Sequence, residues 1–84
     1  MFWVYVLKSD AHYRFYVGLT EDVARRLAEH NSGRTKSTKA YRPWSIVFSE
    51  SFITRTEARK REKKLKSGSG KEYIKEFWSR SSIG

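Results

Sequence analysis

Two short runs rich in aromatic and β-branched residues begin the chain, at positions 2–7 and 13–18. A polar stretch at positions 8–12 separates them. Aromatic and β-branched side chains favour strands, and so short a connection brings two strands together as an antiparallel hairpin. A chain that starts in this way is predicted to fold around a small β-sheet, with a hairpin loop of about five residues.

The next segment predicts one helix and one further strand. Thr20 is the expected N-cap of the first helix, which runs to about Asn31 and stops at Gly33. A third strand follows Pro43 and extends from Trp44 to about residue 48 or 50. The third strand is therefore expected to join the hairpin and complete a three-stranded sheet.

Two capping-box sequences mark the starts of a second and a third helix. Thr54 precedes Glu57 by three residues, and Ser69 precedes Glu72 by the same spacing. Each pair can satisfy free N–H groups in the first turn of a helix. The second helix is expected to end at about Lys66. The third carries an apolar stripe formed by Tyr73, Ile74, Phe77 and Trp78.

The chain has 84 residues, which leaves room for a single core. The predicted fold class is α/β of the α+β type, with a small, three-stranded, mainly antiparallel sheet flanked by three helices. Residues 1–80 are expected to form this domain, and residues 81–84 a flexible tail.

Charge is the strongest compositional signal for function. Eighteen Lys and Arg residues face nine acids, which gives a net charge of +9 and an isoelectric point near 10.1. A field of this size attracts polyanions, and nucleic acid is the expected partner. No cysteine is present, which excludes disulfides and thiolate zinc sites. No apolar run reaches the roughly 20 residues of a membrane span, so we expect a soluble, cytoplasmic protein.

Helical periodicity places two polar residues on the apolar side of the first helix. Arg26 and His30 share a side with Val23 and Leu27, whereas Arg25 falls on the opposite side, with acids one turn before and after it. A charge directed toward a sheet needs a partner, so Arg26 and His30 are candidate site residues. Two alternatives stay open: an arginine lying over the core edge, and a histidine stabilised by the helix dipole.

The second helix repeats this arrangement with one acid. Glu62 is the only acid on the side of Ala58 and Leu65 in a strongly basic helix. A lone carboxylate beside a phosphate is a natural ligand for Mg²⁺, which keeps several waters and needs few protein oxygens. The alternative is an ordinary salt bridge from Glu62 to Lys66 or Arg59.

Between the first helix and the third strand lies a basic segment rich in hydroxyl groups. Four cations there are expected to bind nucleic acid through phosphate contacts: Arg34, Lys36, Lys39 and Arg42. Gly18, just ahead of the first helix, is expected to leave room for close approach by a backbone or a phosphate.

Several features combine into one pattern. They are Tyr5 in the first strand run, Tyr16 in the second, the spacing to Arg26 and His30, the sequence Tyr-Arg-Pro-Trp at 41–44, and the helix with Glu62. This pattern, which covers nearly the whole chain, resembles the GIY-YIG nuclease superfamily. It is most similar to small stand-alone bacterial members related to the N-terminal nuclease domain of the excision-repair incision protein. One departure is Trp3, which stands where the first motif has glycine and adds bulk near the expected site.

The resemblance implies a metal-dependent endonuclease that hydrolyses phosphodiester bonds in DNA, in repair or recombination. Glu62 would hold Mg²⁺ or Mn²⁺, and Arg26 would stabilise charge on the phosphate. Tyr5 would accept a proton from the attacking water, directly or through His30, and Tyr16 would orient Tyr5 or the phosphate. Because a free phenol has a pKa near 10, this role requires nearby cations to lower the pKa of Tyr5.

Two alternatives to a nuclease stay open. One is a nucleic-acid-binding module that turns over little or nothing, and the other is an accessory subunit whose protein partner supplies targeting. Both alternatives predict salt-sensitive binding through the four cations of the basic segment. Only the nuclease predicts that loss of Arg26 or Glu62 abolishes cleavage while binding survives. The oligomeric state is left open by the sequence.

Overall fold

The structure is a computed structural model that describes residues 1–83, with side chains for residues 1–76. The side chains of Phe77 and Trp78 lie outside this described part, and so do residue 84 and the side chains of the predicted tail, so the flexibility of residues 81–84 stays a prediction. The elements are β1 (Phe2–Ser9), β2 (Phe15–Thr20), α1 (Val23–Ser32), a short 3₁₀ turn (Lys39–Tyr41), β3 (Trp44–Phe52), α2 (Arg55–Lys66) and α3 (Gly68–Ile83). None of the helices within the described residues is long and apolar enough to cross a membrane.

The three strands form one antiparallel sheet in the order β2-β1-β3, which confirms the predicted α+β class and sheet. The central strand β1 pairs on both sides, so that Tyr5 lies opposite Gly18 in β2 and Ser49 in β3. The hairpin turn occupies residues 10–14, two positions later than predicted, because β1 continues to Ser9.

Alternate residues of β1 pack into two separate apolar clusters. Val4 and Val6 face α2 and α3, where they contact Ala58 and Leu65. Tyr5 and Leu7 face the other side of the sheet, and their neighbours there are Tyr16, Val23, Leu27, Tyr41 and Trp44. This alternation follows from the two-residue period of a strand. It puts α1 over the face of the sheet that carries Tyr5.

The predicted N-cap of α1 is wrong by two residues. Asp22, not Thr20, caps the helix, because its carboxylate accepts the N–H of Arg25 at 3.1 Å. Thr20 is still part of β2, paired with Trp3, and this pairing keeps its backbone extended. At the other end, Gly33 adopts the left-handed conformation (φ 87°) and confirms the predicted stop.

The capping box of α2 is confirmed, whereas that of α3 is wrong. Thr54 accepts the N–H of Glu57 at 3.2 Å, and α2 begins at the next residue after Thr54. Ser69 lies inside α3, which starts at Gly68. The hydroxyl of Ser67 accepts an N–H of the first turn instead, so the connection between the two helices is shorter than the sequence pattern indicates.

Candidate active site

Tyr5 is the centre of the candidate site. Its side chain lies under α1 in the middle of the sheet and is 1% exposed. Gly18, opposite Tyr5 in β2, makes this position possible. A Cβ atom at Gly18 would come within 2.5 Å of the hydroxyl and of Cζ of Tyr5. The space that the sequence led us to assign to a backbone or phosphate is therefore filled by the tyrosine ring.

A buried chain of hydrogen bonds links Tyr5 to α1 and to the following loop. The Tyr5 hydroxyl lies 3.0 Å from Nε2 of His30, and Nδ1 of His30 lies 2.9 Å from Oγ1 of Thr38. His30 is completely buried, and Thr38 is 1% exposed. The ring of Tyr16 packs against His30, with 4.7 Å between centroids. The structure thus brings the two tyrosines and the histidine together.

Arg26 interacts with Tyr5 and also with its own helix. Its guanidinium donates to the carboxylate of Glu29 at 2.6 Å and lies beside the Tyr5 hydroxyl, and both neighbours raise the pKa of Arg26. Arg25 pairs with the same acid at 3.5 Å but stays mostly exposed. Glu21, the acid predicted one helical turn before Arg25, precedes α1 and is not part of the helix. Arg26 is therefore a permanent cation beside the Tyr5 hydroxyl.

Burial opposes the ionisation of both groups in the Tyr5–His30 pair. It raises the pKa of the Tyr5 phenol, and the bond from Arg26 offsets this only in part. Arg26 does lower the pKa of Tyr5, but burial raises it by more, so the lowered pKa that the role of a base requires is not reached. Burial and the charge of Arg26 lower the pKa of His30, so its imidazole is neutral at neutral pH.

Glu62 lies on α2 with its side chain 9% exposed. Its carboxylate pairs with Lys66 at 3.1 Å and with Arg59 at 3.5 Å, so the salt bridges considered as an alternative are present. The negative charge is close enough to Tyr5 to raise the phenol pKa. Within residues 1–76, no group of three His, Cys, Asp or Glu side chains could hold a metal ion. A single carboxylate still fits Mg²⁺, which takes its remaining ligands from water and substrate phosphate.

The four candidate DNA-binding cations divide into two places. Lys36, Lys39 and Arg42 line one open hollow of about 600 Å³. Arg42 is held there by a bond from its Nε to the carbonyl oxygen of Lys39 at 2.9 Å. Arg34 does not line this hollow and instead lines a smaller one together with Glu29. Three of the four cations thus form one basic surface, and their binding to nucleic acid stays a prediction.

Two residues, Asn31 and Thr38, were not predicted from the sequence to be part of the site. The amide of Asn31 bonds both backbone groups of Trp44, accepting the N–H at 2.6 Å and donating to the carbonyl at 3.0 Å. The carbonyl of Thr38 accepts the indole N–H of Trp44 at 2.9 Å. Together these bonds fasten the end of α1 and the loop after it to the start of β3, which fixes His30.

Trp3 lies on the same face of β1 as Tyr5. It is half-buried and lines a hollow of about 330 Å³ next to the start of α1, together with Asp22, Val23 and Ser49. Its bulk therefore occupies the space beside the first turn of α1. Its effect on substrate access stays a prediction.

Comparison with known proteins gives consistent matches. The family described as "GIY-YIG catalytic domain" matches residues 1–75. The UPF0213 protein lwe0147 of Listeria welshimeri is 48% identical over 68 residues, which cover 80% of this chain and 74% of the relative. The UPF0213 protein SSP2268 of Staphylococcus saprophyticus is 35% identical over 74 residues, or 87% and 89% of the two chains.

One solved structure is similar as well. The solution NMR structure of the UPF0213 protein BH0048 from Bacillus halodurans is 33% identical and has a TM-score of 0.53. The match covers 88% of this chain and 82% of that one. Tyr5 and Glu62, the first and last of the candidate catalytic residues, both fall within the range matched by the family.

Proposed function

The chain belongs to the GIY-YIG family, and from this premise we propose that it is an endonuclease that hydrolyses phosphodiester bonds in DNA with a divalent metal ion. One observation carries the proposal: Tyr16, Arg26 and His30 surround a single buried hydroxyl, that of Tyr5. A cation and a neutral base around one hydroxyl form an arrangement suited to moving a proton. A role in DNA repair or recombination follows from the resemblance alone.

The raised pKa of Tyr5 determines how the proton moves. Because the phenol keeps its proton at neutral pH, Tyr5 transfers a proton from the water to His30 and is not already deprotonated when the reaction begins. The attacking water gives a proton to the Tyr5 oxygen, and the Tyr5 hydroxyl passes its own proton to Nε2 of His30. The water oxygen then bonds to phosphorus, the bond to the leaving oxygen breaks, and that oxygen takes a proton from solvent.

Arg26 and Glu62 have roles in compensating the negative charge of the phosphate, Arg26 directly and Glu62 through a metal ion. The guanidinium of Arg26 keeps its proton and would stabilise the negative charge that develops on the phosphate. Glu62 would hold Mg²⁺ or Mn²⁺ together with the substrate phosphate. The metal, when bound, supplies positive charge at the phosphate and polarises its bonds. Lys66 and Arg59, which neutralise the carboxylate here, are half-exposed and can turn toward solvent or phosphate.

The basic surface of Lys36, Lys39 and Arg42 supports DNA as the substrate. These cations are exposed, and no acid is among the residues that line their hollow. Non-specific binding to DNA arises mainly from such phosphate contacts and is strongly salt-dependent. The described residues contain no separate recognition helix, so we expect weak sequence preference.

A second candidate function has one observation in its favour. Because Lys66 and Arg59 already neutralise Glu62, the carboxylate has partners without any metal. A protein in this state would bind DNA through its basic surface and cleave little, as a binding module or as a subunit that relies on a partner.

Cleavage of labelled duplex, single-stranded and branched DNA with Mg²⁺ or Mn²⁺ distinguishes the two functions. The parent protein is compared with Glu62→Gln and with Glu57→Gln, which changes an exposed acid of the same helix. Cleavage that is lost in Glu62→Gln and kept in Glu57→Gln supports the nuclease and its metal ligand. Salt-sensitive binding without cleavage by the parent on any substrate contradicts the nuclease and favours the binding module.

A further inference from the structure

The hydroxyl of Thr38 has an unusual position for a loop residue. It is buried in the segment between α1 and β3, with Oγ1 2.9 Å from Nδ1 of His30. Oγ1 also lies 3.3 Å from the carbonyl oxygen of Thr35, to which it can donate. A buried hydroxyl without partners is unfavourable, so these two contacts account for its burial.

The hydrogens of this chain can be assigned by matching donors with acceptors. With the imidazole proton on Nδ1, His30 donates to Thr38, Thr38 donates to Thr35, and Tyr5 donates to Nε2 of His30. Each of the three hydrogens then has an acceptor.

The other tautomer leaves a hydrogen without a partner. With the proton on Nε2, His30 would donate to the Tyr5 oxygen, so the Tyr5 hydroxyl could not donate to His30. The hydroxyl hydrogen of the fully buried Tyr5 would then have no acceptor within the described part of the chain. Buried polar groups are nearly always hydrogen-bonded, so the first assignment is the favoured one.

We propose that Thr38 is a positioning residue that fixes His30 in the tautomer protonated on Nδ1, and so leaves Nε2 free to receive the proton of Tyr5. Thr38 acts through His30 and does not touch the substrate. The assignment of the tautomer stands on the hydrogen bonds alone, whereas its value for cleavage rests on the proposed function. In this role Thr38 corresponds to the third group of a catalytic triad, which orients a histidine from behind.

The backbone of Thr38 is held independently of its hydroxyl. Its N–H donates to the carbonyl of Thr35 at 3.2 Å, and its carbonyl accepts the N–H of Tyr41 at 3.1 Å and the indole N–H of Trp44 at 2.9 Å. A Thr38→Val variant, which has nearly the same shape, therefore removes the hydroxyl and keeps the loop in place. Thr38→Ser is the matched variant that keeps the hydroxyl.

The direct test is ¹⁵N NMR of the His30 ring in labelled protein. The chain has two histidines, so a His12→Gln background leaves His30 as the only imidazole. We expect Nδ1 to be protonated and Nε2 unprotonated in this background and in Thr38→Ser, and a mixture of tautomers in Thr38→Val. A ring protonated on Nε2 in the His12→Gln background would overturn the proposal, as would an unchanged tautomer in Thr38→Val.

Cleavage assays on the same variants test the consequence. We expect Thr38→Val to lose about tenfold or more in cleavage rate, as enzymes do when a histidine loses its orienting partner. Thr38→Ser should retain most of the rate, and DNA binding should be unchanged in both. Equal cleavage by parent and Thr38→Val overturns the positioning role in catalysis. If the parent cleaves no DNA, the proposed function fails, and the NMR result alone decides whether Thr38 positions His30.

Discussion

Replacing Gly18 by alanine is the most demanding test of how the site is packed. The added Cβ would lie 2.5 Å from the hydroxyl and from Cζ of Tyr5, and 2.9 Å from Cε1. Carbon atoms in contact prefer about 3.5–4.0 Å, so the ring must move by about 1 Å. The ring is buried and bonded to His30 at 3.0 Å, so it cannot move without losing that bond.

The expected destabilisation follows from three terms. Overpacking a buried site costs about 1–3 kcal/mol, and loss of one hydrogen bond adds about 0.5–1.5 kcal/mol. The lower entropy of an unfolded chain with alanine returns about 0.4–1 kcal/mol. Gly18→Ala should therefore lower the free energy of unfolding by about 2 kcal/mol, which corresponds to a fall in Tm of roughly 8–16 °C in a domain of this size.

Thermal and urea unfolding measure this effect against a matched control. A Cβ atom at Gly68 would have no heavy atom within 4 Å, so Gly68→Ala should leave Tm unchanged or raise it slightly. Tyr5→Phe removes the oxygen nearest to the added Cβ. Gly18→Ala should therefore be less destabilising in a Tyr5→Phe background than in the parent. If Gly18→Ala unfolds at the same temperature as Gly68→Ala, Tyr5 does not occupy the space over Gly18, and the description of the site is wrong.

Two further predictions concern pH and salt. Burial lowers the folded-state pKa of His30 below its unfolded value of about 6.5. The stability that the neutral imidazole contributes is therefore present above pH 6.5 and is lost as the pH falls. The loss is at most about 1.4 kcal/mol per pH unit. Urea unfolding between pH 7 and 5 should show this loss in the parent and a flatter profile in His30→Gln, and parallel profiles would contradict it. Replacing Lys36, Lys39 and Arg42 by alanine should weaken DNA binding and reduce the slope of log K against log salt by up to about 2.7, since each phosphate contact contributes about 0.9. An unchanged slope would mean that DNA binds elsewhere.

The sequence predicts the parts of the fold that depend on local patterns. The strand runs, the cap at Thr54 and the stop at Gly33 each use a short-range signal, and all three are confirmed. The N-cap at Thr20 is wrong because that residue is held extended by pairing with Trp3, a partner distant in sequence. The cap at Ser69 is wrong because Ser67 accepts the N–H of the first turn instead, so α3 starts two residues earlier than the capping pattern indicates.

The sequence predicts several residues of the candidate site, but it predicts neither Thr38 nor the electrostatics of the site. Helical periodicity selected Arg26 and His30, and both interact with Tyr5. The pKa of Tyr5 depends on how deeply its ring is buried, and Gly18 leaves the space for that burial. No pattern in the sequence predicts the depth. Thr38 was missed because a hydroxyl in an irregular segment has no periodicity, and its partner becomes evident only once the loop has folded against α1.

Cleavage by Tyr5→Phe tests the central claim most directly, because the substitution removes only the oxygen through which the proton is proposed to pass. Tyr13→Phe, an exposed position in the hairpin turn, is the matched control. We predict that Tyr5→Phe binds DNA as the parent does and cleaves it at least about 100-fold more slowly, the lower range for loss of a general acid or base. We expect Tyr13→Phe to cleave normally. Cleavage by Tyr5→Phe at the parent rate would contradict the account.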